Sequence, residues 1–409
     1  MTTALIIGGG IAGPVTGMAL QKAGIDSTIY EAYPTSADGV GAFLSIMHNG
    51  LDALAAVDAA DVVRENSFPA SKVEFFNHRG TRLGEAPIGG SAGDRGPRMI
   101  KRSTLYRELL DEASRRGVTV HHGKRLTHAT TTPGDPVTAE FADGTEAEGD
   151  LLIGADGIHS VTRALIDPAA PKPRYTGVIT VCGYASHAPA TTEPGTFRMT
   201  YGRKVFFAYL TAPDGQTWWF ANLPHHSAEL TKEQLASTTS EEWQQRVAGL
   251  LARDRTPAAD IVRASDRSIT GANGYDIATT PTWHTGATII IGDAAHVSAP
   301  NAGHGASMAI EDGVILAQCL RDLPAAQAFS AYERIRRPRV ERVVATSARM
   351  GGNATPGPVK RMIRDAVLPR KLKKGPRNTA SWLTDHHVDW NQSIRQPDDT
   401  RVETPPHRS

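Results

Sequence analysis

Residues 3–32, TALIIGGGIAGPVTGMALQKAGIDSTIYEA, constrain the fold more than any other stretch. A short apolar run suited to a buried parallel strand meets Gly8, Gly10 and Gly13, and apolar residues then recur three and four apart through Leu20. The pattern predicts strand, tight turn and helix, with Gly24 ending the helix and STIYEA forming a second strand that carries Glu31 at its carboxyl end. This is a βαβ unit. In it Gly8 permits the turn, Gly10 lets backbone N–H groups approach a pyrophosphate, and Gly13 lets the helix pack close to the strand. Glu31 can accept hydrogen bonds from a ribose and would repel a 2′-phosphate, so the nucleotide expected here is FAD or NAD.

Two later stretches repeat the grammar. EGDLLIGADGIHSVTR sets apolar Leu151 to Ile153 before Gly154, Asp156 and Gly157, and taken alone it reads equally well as a strand ending in a turn. IIIGDAAHVSAPNAGHGASMAIEDG closes a third buried strand, Ala287 to Ile291, with Gly292 and Asp293, whose carboxylate could hold a sugar or ribityl hydroxyl. From Gly303 a helix should run to about Leu320. Its first turn, NAGHGAS, offers free N–H groups and roughly half a positive charge to an anion.

A chain of 409 residues, 40% hydrophobic, can bury the core of one large or two modest domains. Its 44 Lys and Arg against 43 Asp and Glu leave a net charge of +1, which gives no field for steering nucleic acid or an anionic membrane. Cys182 and Cys319 lie far apart, and HHS at 225–227 has no further ligand cluster, so neither a disulfide framework nor a metal site is expected. No stretch reaches about 18 uninterrupted apolar residues, and the apolar start lacks a basic leader. Neither signal peptide nor membrane span is expected, and a reducing cytoplasm fits.

In this order and at these separations, the three stretches resemble the class A flavoprotein monooxygenases, the para-hydroxybenzoate hydroxylase-like FAD enzymes, over roughly residues 3 to 345. The resemblance rests on the fingerprint at Gly8 to Gly13, the GADG stretch and the GDAAH stretch with its later GHG. It implies an α/β fold, a Rossmann-like FAD-binding domain with an interleaved β-sheet substrate domain and C-terminal helices. It further implies that Glu31 binds the adenosine ribose, that Ala12, Gly13 and Ala32 line the adenine half, and that Leu126 approaches the adenine side through its backbone. Arg102 would contact the cofactor, although by itself it could be a solvated charge before a helix that Ser103 or Thr104 caps. Asp156 would serve flavin and nicotinamide binding, Asp293 beside Gly292 the ribityl chain, and Ser45 would sit near the flavin. The helix end from Gly303 through His304, Gly305 and Ala306 to Ser307 would face the pyrimidine edge of the isoalloxazine, with Pro300 packed beside the ring. A preorganised positive end there stabilises the charge of reduced flavin. His304 stands where glutamine is frequent in the family, which leaves a reading based on backbone amides intact.

The reaction implied is hydroxylation of an aromatic or heteroaromatic small molecule with O₂ and NADH or NADPH, through a flavin C4a-hydroperoxide. The nicotinamide would visit transiently, since no second dinucleotide fingerprint is visible. Monomer and homodimer both remain open. Alternatives are an epoxidase or Baeyer–Villiger-type oxygenase on the same scaffold, a non-turnover flavin-binding redox module, and a dehydrogenase that binds NAD. A halogenase is disfavoured because WWFANLP is no WxWxIP segment.

The FAD-binding domain is expected in three parts, 1–70, 99–171 and 281–345, interrupted by a hairpin and loop at 71–98 and by a β-meander plus helix at 172–280. A C-terminal helix and polar tail at 346–409 should end in disorder, a reading that Trp382 and Trp390 complicate. The segment AFSAYERIRRPRVERVVATSARM reads as a long helix broken or bent at Pro338, with its arginines on a solvated face. No catalytic base can be named. Candidates for the pocket wall are His48, Lys204, Tyr209, Trp218 and Pro300; adjacent Trp218 and Trp219 must face opposite ways on a strand, so at most one looks into the pocket.

Overall fold

The computed structural model describes residues 2–35, 42–88, 97–130, 135–277, 279–297, 303–351, 357–373 and 381–395. Pro300 and the end of the tail fall outside these residues. The opening unit forms as its pattern demands: strand Thr3–Ile7, helix Ala12–Lys22 and strand Asp26–Tyr30, with Gly24 at φ +76° closing the helix. These strands lie parallel in a six-stranded sheet whose order is His284–Thr285, Thr288–Ile290, Leu151–Gly154, Thr3–Ile7, Asp26–Tyr30 and Thr119–His121. All three glycine-rich stretches therefore leave the sheet at the same edge, the carboxyl ends of neighbouring parallel strands, which is where open α/β sheets bind ligands.

A seven-stranded sheet stands apart from the first. Its order is Thr270–Asp276, Arg174–Ala185, Thr217–Pro224, Phe206–Thr211, Thr196–Tyr201, Lys72–Asn77 and Arg82–Pro87. Residues 172–224 are thus not a simple meander. Strand Arg174–Ala185 pairs with Thr217–Pro224, and the hairpin Lys72–Asn77/Arg82–Pro87 joins through a parallel pairing with Thr196–Tyr201. Turn residues mark where the chain reverses, and pairing is then chosen by which faces can be buried together. The second hairpin strand runs from Arg82 to Pro87.

The helical segment after residue 229 divides in two, Lys232–Ser237 and Ser240–Leu251. Each starts with a capping box, Thr231 with Gln234 and Thr239 with Glu242, so the second cap stops the first helix.

Helix Gly305–Asp322 is the spine of the helical layer on the six-stranded sheet, packed against helices Ala12–Lys22, His48–Ala56 and Ala325–Gly351. The last of these runs unbroken through Pro338. Its arginines form a solvated face only in part: Arg334 and Arg342 are exposed, whereas Arg336 and Arg339 turn inward. Arg336 is fully buried, its Nε donating to Asp312 at 2.7 Å and its Nη1 to Glu311, while Arg339 donates to Glu311 at 2.7 and 2.9 Å and to the carbonyls of Trp382 and Leu383. The two buried acids of helix Gly305–Asp322 require buried counter-charges, and these tethers hold the chain on either side of the proline. The described part of the tail, 381–395, straps back over the same layer. Leu383 and Val388 are buried there, and Asp52 accepts from the Val388 amide at 2.7 Å. Among the described residues no helix is long and apolar enough to cross a membrane.

Candidate active site

The first turn is built by close approach. A Cβ on Gly8, which sits at φ +111°, would lie 2.4 Å from the Ala155 carbonyl oxygen, and one on Gly13 would lie 1.9 Å from that of Gly8. Gly10 is different. A Cβ there would meet only the Tyr106 ring, at 3.9 Å, so the backbone is open at the one glycine expected to approach a phosphate. Helix Ala12–Lys22 has neither a side-chain cap nor an acid in its first turn, leaving its leading amides and positive end free for an anion. Glu31 grips this turn from the second strand, accepting from the Gly9 amide at 2.6 Å and the Tyr33 amide at 2.8 Å. Ala32 follows it, half-buried. Leu126 is buried against Leu5, Ile7 and Phe141, at the start of strand Leu126–Thr130.

The third stretch sets Asp293 in a short 3₁₀ turn, Gly292–Ala294, after strand Thr288–Ile290. Gly292 takes φ +57°, and its amide donates to Asp312 at 2.9 Å; His296 Nε2 donates to the same carboxylate oxygen at 2.6 Å. Among the described residues Asp293 has no hydrogen-bond partner of its own. Burial raises its carboxyl, opposed by His296 and Arg102. Arg102 opens helix Arg102–Arg115, and its Nε donates to the Tyr106 hydroxyl at 2.7 Å, one turn further on. The hydrogen bond to the Tyr106 phenol, and after it the nearby Asp293 carboxylate, hold the Arg102 guanidinium charged against the cost of burial. Burial pushes the Cys182 thiol up to about 12, so it stays protonated and is no nucleophile. Arg102, Tyr106, Asp293 and Gly10 therefore converge, although they come from three separate segments.

Asp156 does something else. Its two carboxylate oxygens are occupied by Ser160 Oγ at 2.5 Å, the amides of Val161 and Thr162 at 2.8 and 3.0 Å, and Thr162 Oγ1 at 3.0 Å. As placed, it shapes the entry to helix Val161–Ile166, and direct ligation through its carboxylate is not what this geometry offers.

The third helix starts bare as well. Helix Gly305–Asp322 has no side-chain cap and no acid in its first turn, with half-buried Gly305 and Ala306 leading it. Gly303, at φ +63°, accepts from Ser45 Oγ at 3.3 Å, and Ser307 Oγ accepts from the Met47 amide at 2.9 Å. The segment around Ser45 is thereby fixed to the helix end. His304 is buried, with no partner for Nδ1 among the described residues; burial, together with the Arg339 charge, lowers its pKa to about 4, so the imidazole is neutral at physiological pH.

Of the pocket candidates, Trp218 packs against Phe43 and Phe68 at ring separations of 5.6 and 5.0 Å. Trp219 faces the opposite way into the helices, Nε1 donating to Ser265 Oγ at 2.8 Å. Tyr209 pairs with Trp219 in the sheet register, so it shares that helix-side core and is not a pocket residue. Lys204 is exposed in the turn between strands Thr196–Tyr201 and Phe206–Thr211. His48 is half-buried at the start of helix His48–Ala56 and has no hydrogen bond among the described residues.

The face that carries Trp218 was only partly legible. Tyr184, Trp218 and Phe220 line up across two strands, and Phe197, Met199, Tyr201 and Phe206 continue the face. Phe43 reaches it from strand Phe43–Ile46, 6.1 Å from Phe220. Two residues on, and so on the same side of that strand, Ser45 touches the helix end. Lys101 Nζ lies over the Tyr184 and Trp218 rings at 4.8 and 5.3 Å. Period-two alternation in the strands held the signal for most of these, while Tyr106 was marked by its four-residue spacing from Arg102. No group of three or more His, Cys, Asp or Glu among the described residues could hold a metal.

Residues 1–347 match the family described as the FAD binding domain. An aurachin C monooxygenase/isomerase of Stigmatella aurantiaca is 31% identical, over 85% of this chain and 88% of its own length. A 3-amino-4-hydroxybenzoate 2-monooxygenase of Streptomyces platensis is 32% identical, over 89% and 91%. The solved structure of Klebsiella pneumoniae HpxO complexed with FAD and uric acid matches with a TM-score of 0.80 at 25% identity, covering 90% of this chain and 93% of that one.

Proposed function

This chain belongs to the FAD binding domain family and is an FAD-dependent monooxygenase, and we propose that it hydroxylates a flat aromatic or heteroaromatic molecule seated on the Phe43, Trp218 and Phe220 face. NADH or NADPH is the reductant and O₂ the oxidant. The observation that carries this reading is the strand Phe43–Ile46, which presents Phe43 to the aromatic face and Ser45 to the bare helix end beyond Gly303.

The residues present fit FAD. The open backbone at Gly10, the close approaches at Gly8 and Gly13, and the uncapped start of helix Ala12–Lys22 form a cradle for a pyrophosphate. In this reading Glu31, with Ala12, Ala32 and Leu126 beside it, holds the adenosine half. Asp293 and Arg102 hold the ribityl chain and its phosphate, and the amides of Gly305 to Ser307, with Ser45, face the pyrimidine edge. When bound, FAD supplies hydride acceptance from the nicotinamide and oxygen transfer to the substrate.

The chain's own contribution is placement, electrostatics and exclusion of water. The N-terminus of helix Gly305–Asp322 offers positive partial charge without reorganisation, and the neutral His304 beside it leaves that role to the backbone amides. Phe43, Trp218 and Phe220 orient a planar substrate by stacking and keep the space dry. Asp156 orders the GADG turn next to Gly8 and acts on the cofactor only through that turn. We assign residues 1–70, 99–171 and 281–345 to the FAD-holding part and 71–98 and 172–280 to the substrate part. A reducing cytoplasm suits the two buried, unpaired cysteines.

The test uses the FAD-loaded protein and a panel of phenols, heterocycles and polyketide-like aromatics. Substrate-stimulated NAD(P)H oxidation, with a product that has gained one oxygen on a ring carbon, supports the proposal. Oxygen inserted across an alkene or beside a ketone would instead favour the epoxidase or Baeyer–Villiger reading. Flavin reduction with no product from any member would count for the redox module.

A further inference from the structure

Helix Pro358–Lys373 is built inside out. Val359, Met362, Ile363 and Val367 recur at helical spacing along one face and are 66%, 69%, 54% and 38% exposed. The opposite, inward face is largely polar. Arg361 donates to the Arg203 carbonyl at 2.8 Å, the Arg364 guanidinium lies 4.3 Å over the Tyr201 ring, and Asp365 accepts from Asn77 at 3.1 Å. Leu372 packs into the space left by Gly84. The helix is therefore seated on the edge of the seven-stranded sheet in a fixed orientation, with its apolar stripe directed away from the body.

Charge decides what can cover that stripe. Lys360, Arg370, Lys371 and Lys373 are all exposed on the same helix. Its acid, Asp365, is already held by Arg364 at 2.6 Å and by Asn77. A second copy docking by two-fold symmetry would bring these cations against their own counterparts. The stripe, about 12 Å long at about 1.5 Å per residue, also falls well short of the roughly 800 Å² per partner of a stable interface. An apolar stripe rimmed by cations matches the boundary between acyl chains and anionic headgroups. The whole-chain charge of +1 concealed this local excess.

We propose that helix Pro358–Lys373 is an interfacial anchor that seats this enzyme on anionic phospholipid membranes, lying in the plane of the surface without crossing it. Val359, Met362, Ile363 and Val367 enter the acyl boundary, and Lys360, Arg370, Lys371 and Lys373 meet the headgroups.

The test is flotation of the full-length, FAD-loaded protein with vesicles of phosphatidylcholine alone or mixed with phosphatidylglycerol, at low and high salt. Binding should rise with phosphatidylglycerol and fall with salt. Met362→Asp combined with Ile363→Asp should lower partitioning on the order of tenfold or more, as should Lys360→Glu combined with Lys371→Glu on the anionic vesicles. Neither pair touches the flavin or substrate groups, so FAD content and thermal midpoint should match wild type, which separates lost binding from lost fold. Wild-type protein that binds phosphatidylglycerol vesicles no better than phosphatidylcholine ones at low salt overturns the proposal. So does equal binding by the Asp pair. Light scattering that shows a dimer lost in the Asp pair, without vesicle binding, would assign the stripe to a second copy.

Discussion

Replacing Arg336 by methionine keeps much of its volume and removes its charge from a site where that charge has no solvent. Arg336 bonds both Glu311 and Asp312, and all three side chains are fully buried. Burial alone would raise the Glu311 carboxyl from its ordinary 4.5; the Arg336 charge and the Arg339 bonds overcome this and bring it to about 2. Asp312 is likewise held well below the carboxylate range by His296 and Arg336 against the cost of burial. Breaking a buried pair by removing one partner costs about 3–5 kcal/mol, because the remaining charge is left uncompensated. In a chain of this size that corresponds to a fall in apparent melting temperature on the order of 3–6 °C at neutral pH. The sign of the pH dependence follows from the depressed carboxylates. Their contribution is present above about 4.5 and is lost as pH falls toward 2, so the wild type loses stability through that window. Arg336→Met should lose less stability through this window, because its carboxylates are held less far below their unfolded value, and its deficit against wild type should narrow as the carboxylates protonate. Because Asp312 also accepts from the Gly292 amide next to Asp293, the variant should retain FAD less well. Thermal melts from neutral to acid pH, with flavin content on the same samples, check each point. A melting temperature within a degree or so of wild type at neutral pH, with an unchanged acid profile, would refute the reasoning.

A methyl group on Gly13 would lie 1.9 Å from the Gly8 carbonyl oxygen, so Gly13→Ala should force strand and helix apart and give a protein depleted in flavin; wild-type FAD content would contradict this. Asp293→Ala should weaken FAD retention while circular dichroism stays unchanged, and a mutant that purifies with its full flavin complement removes Asp293 from the ribityl site. Trp219→Ala should destabilise by about 3–5 kcal/mol with little change in substrate preference, whereas Trp218→Ala should chiefly raise KM, as denaturant melts and steady-state kinetics on one substrate would show. Lys204→Ala should leave kcat/KM as it is across a substrate panel, because the side chain lies in an exposed turn; a large change would return it to the pocket wall.

Local patterns in the sequence determined the βαβ entry, the three glycine-bearing strand ends and the bare start of helix Gly305–Asp322. Each depends on residues within about thirty positions of one another, where hydrophobic period and glycine placement act directly on the backbone. The opposed faces of Trp218 and Trp219 were likewise fixed by strand geometry alone. What the sequence left open were relations between distant segments. Tyr209 was lost as a pocket residue because its strand register pairs it with Trp219, and no local rule sets register between strands. Arg336 and Arg339 read as solvated because charge ordinarily is, and only the packing of helix Ala325–Gly351 on helix Gly305–Asp322 supplies the buried acids that keep them charged. The whole-chain balance of +1 concealed the cationic, apolar face of helix Pro358–Lys373 for the same reason. A sequence states which groups must find partners, and the energy of burying charge and apolar surface makes the choice among them only once the distant segments have been brought together.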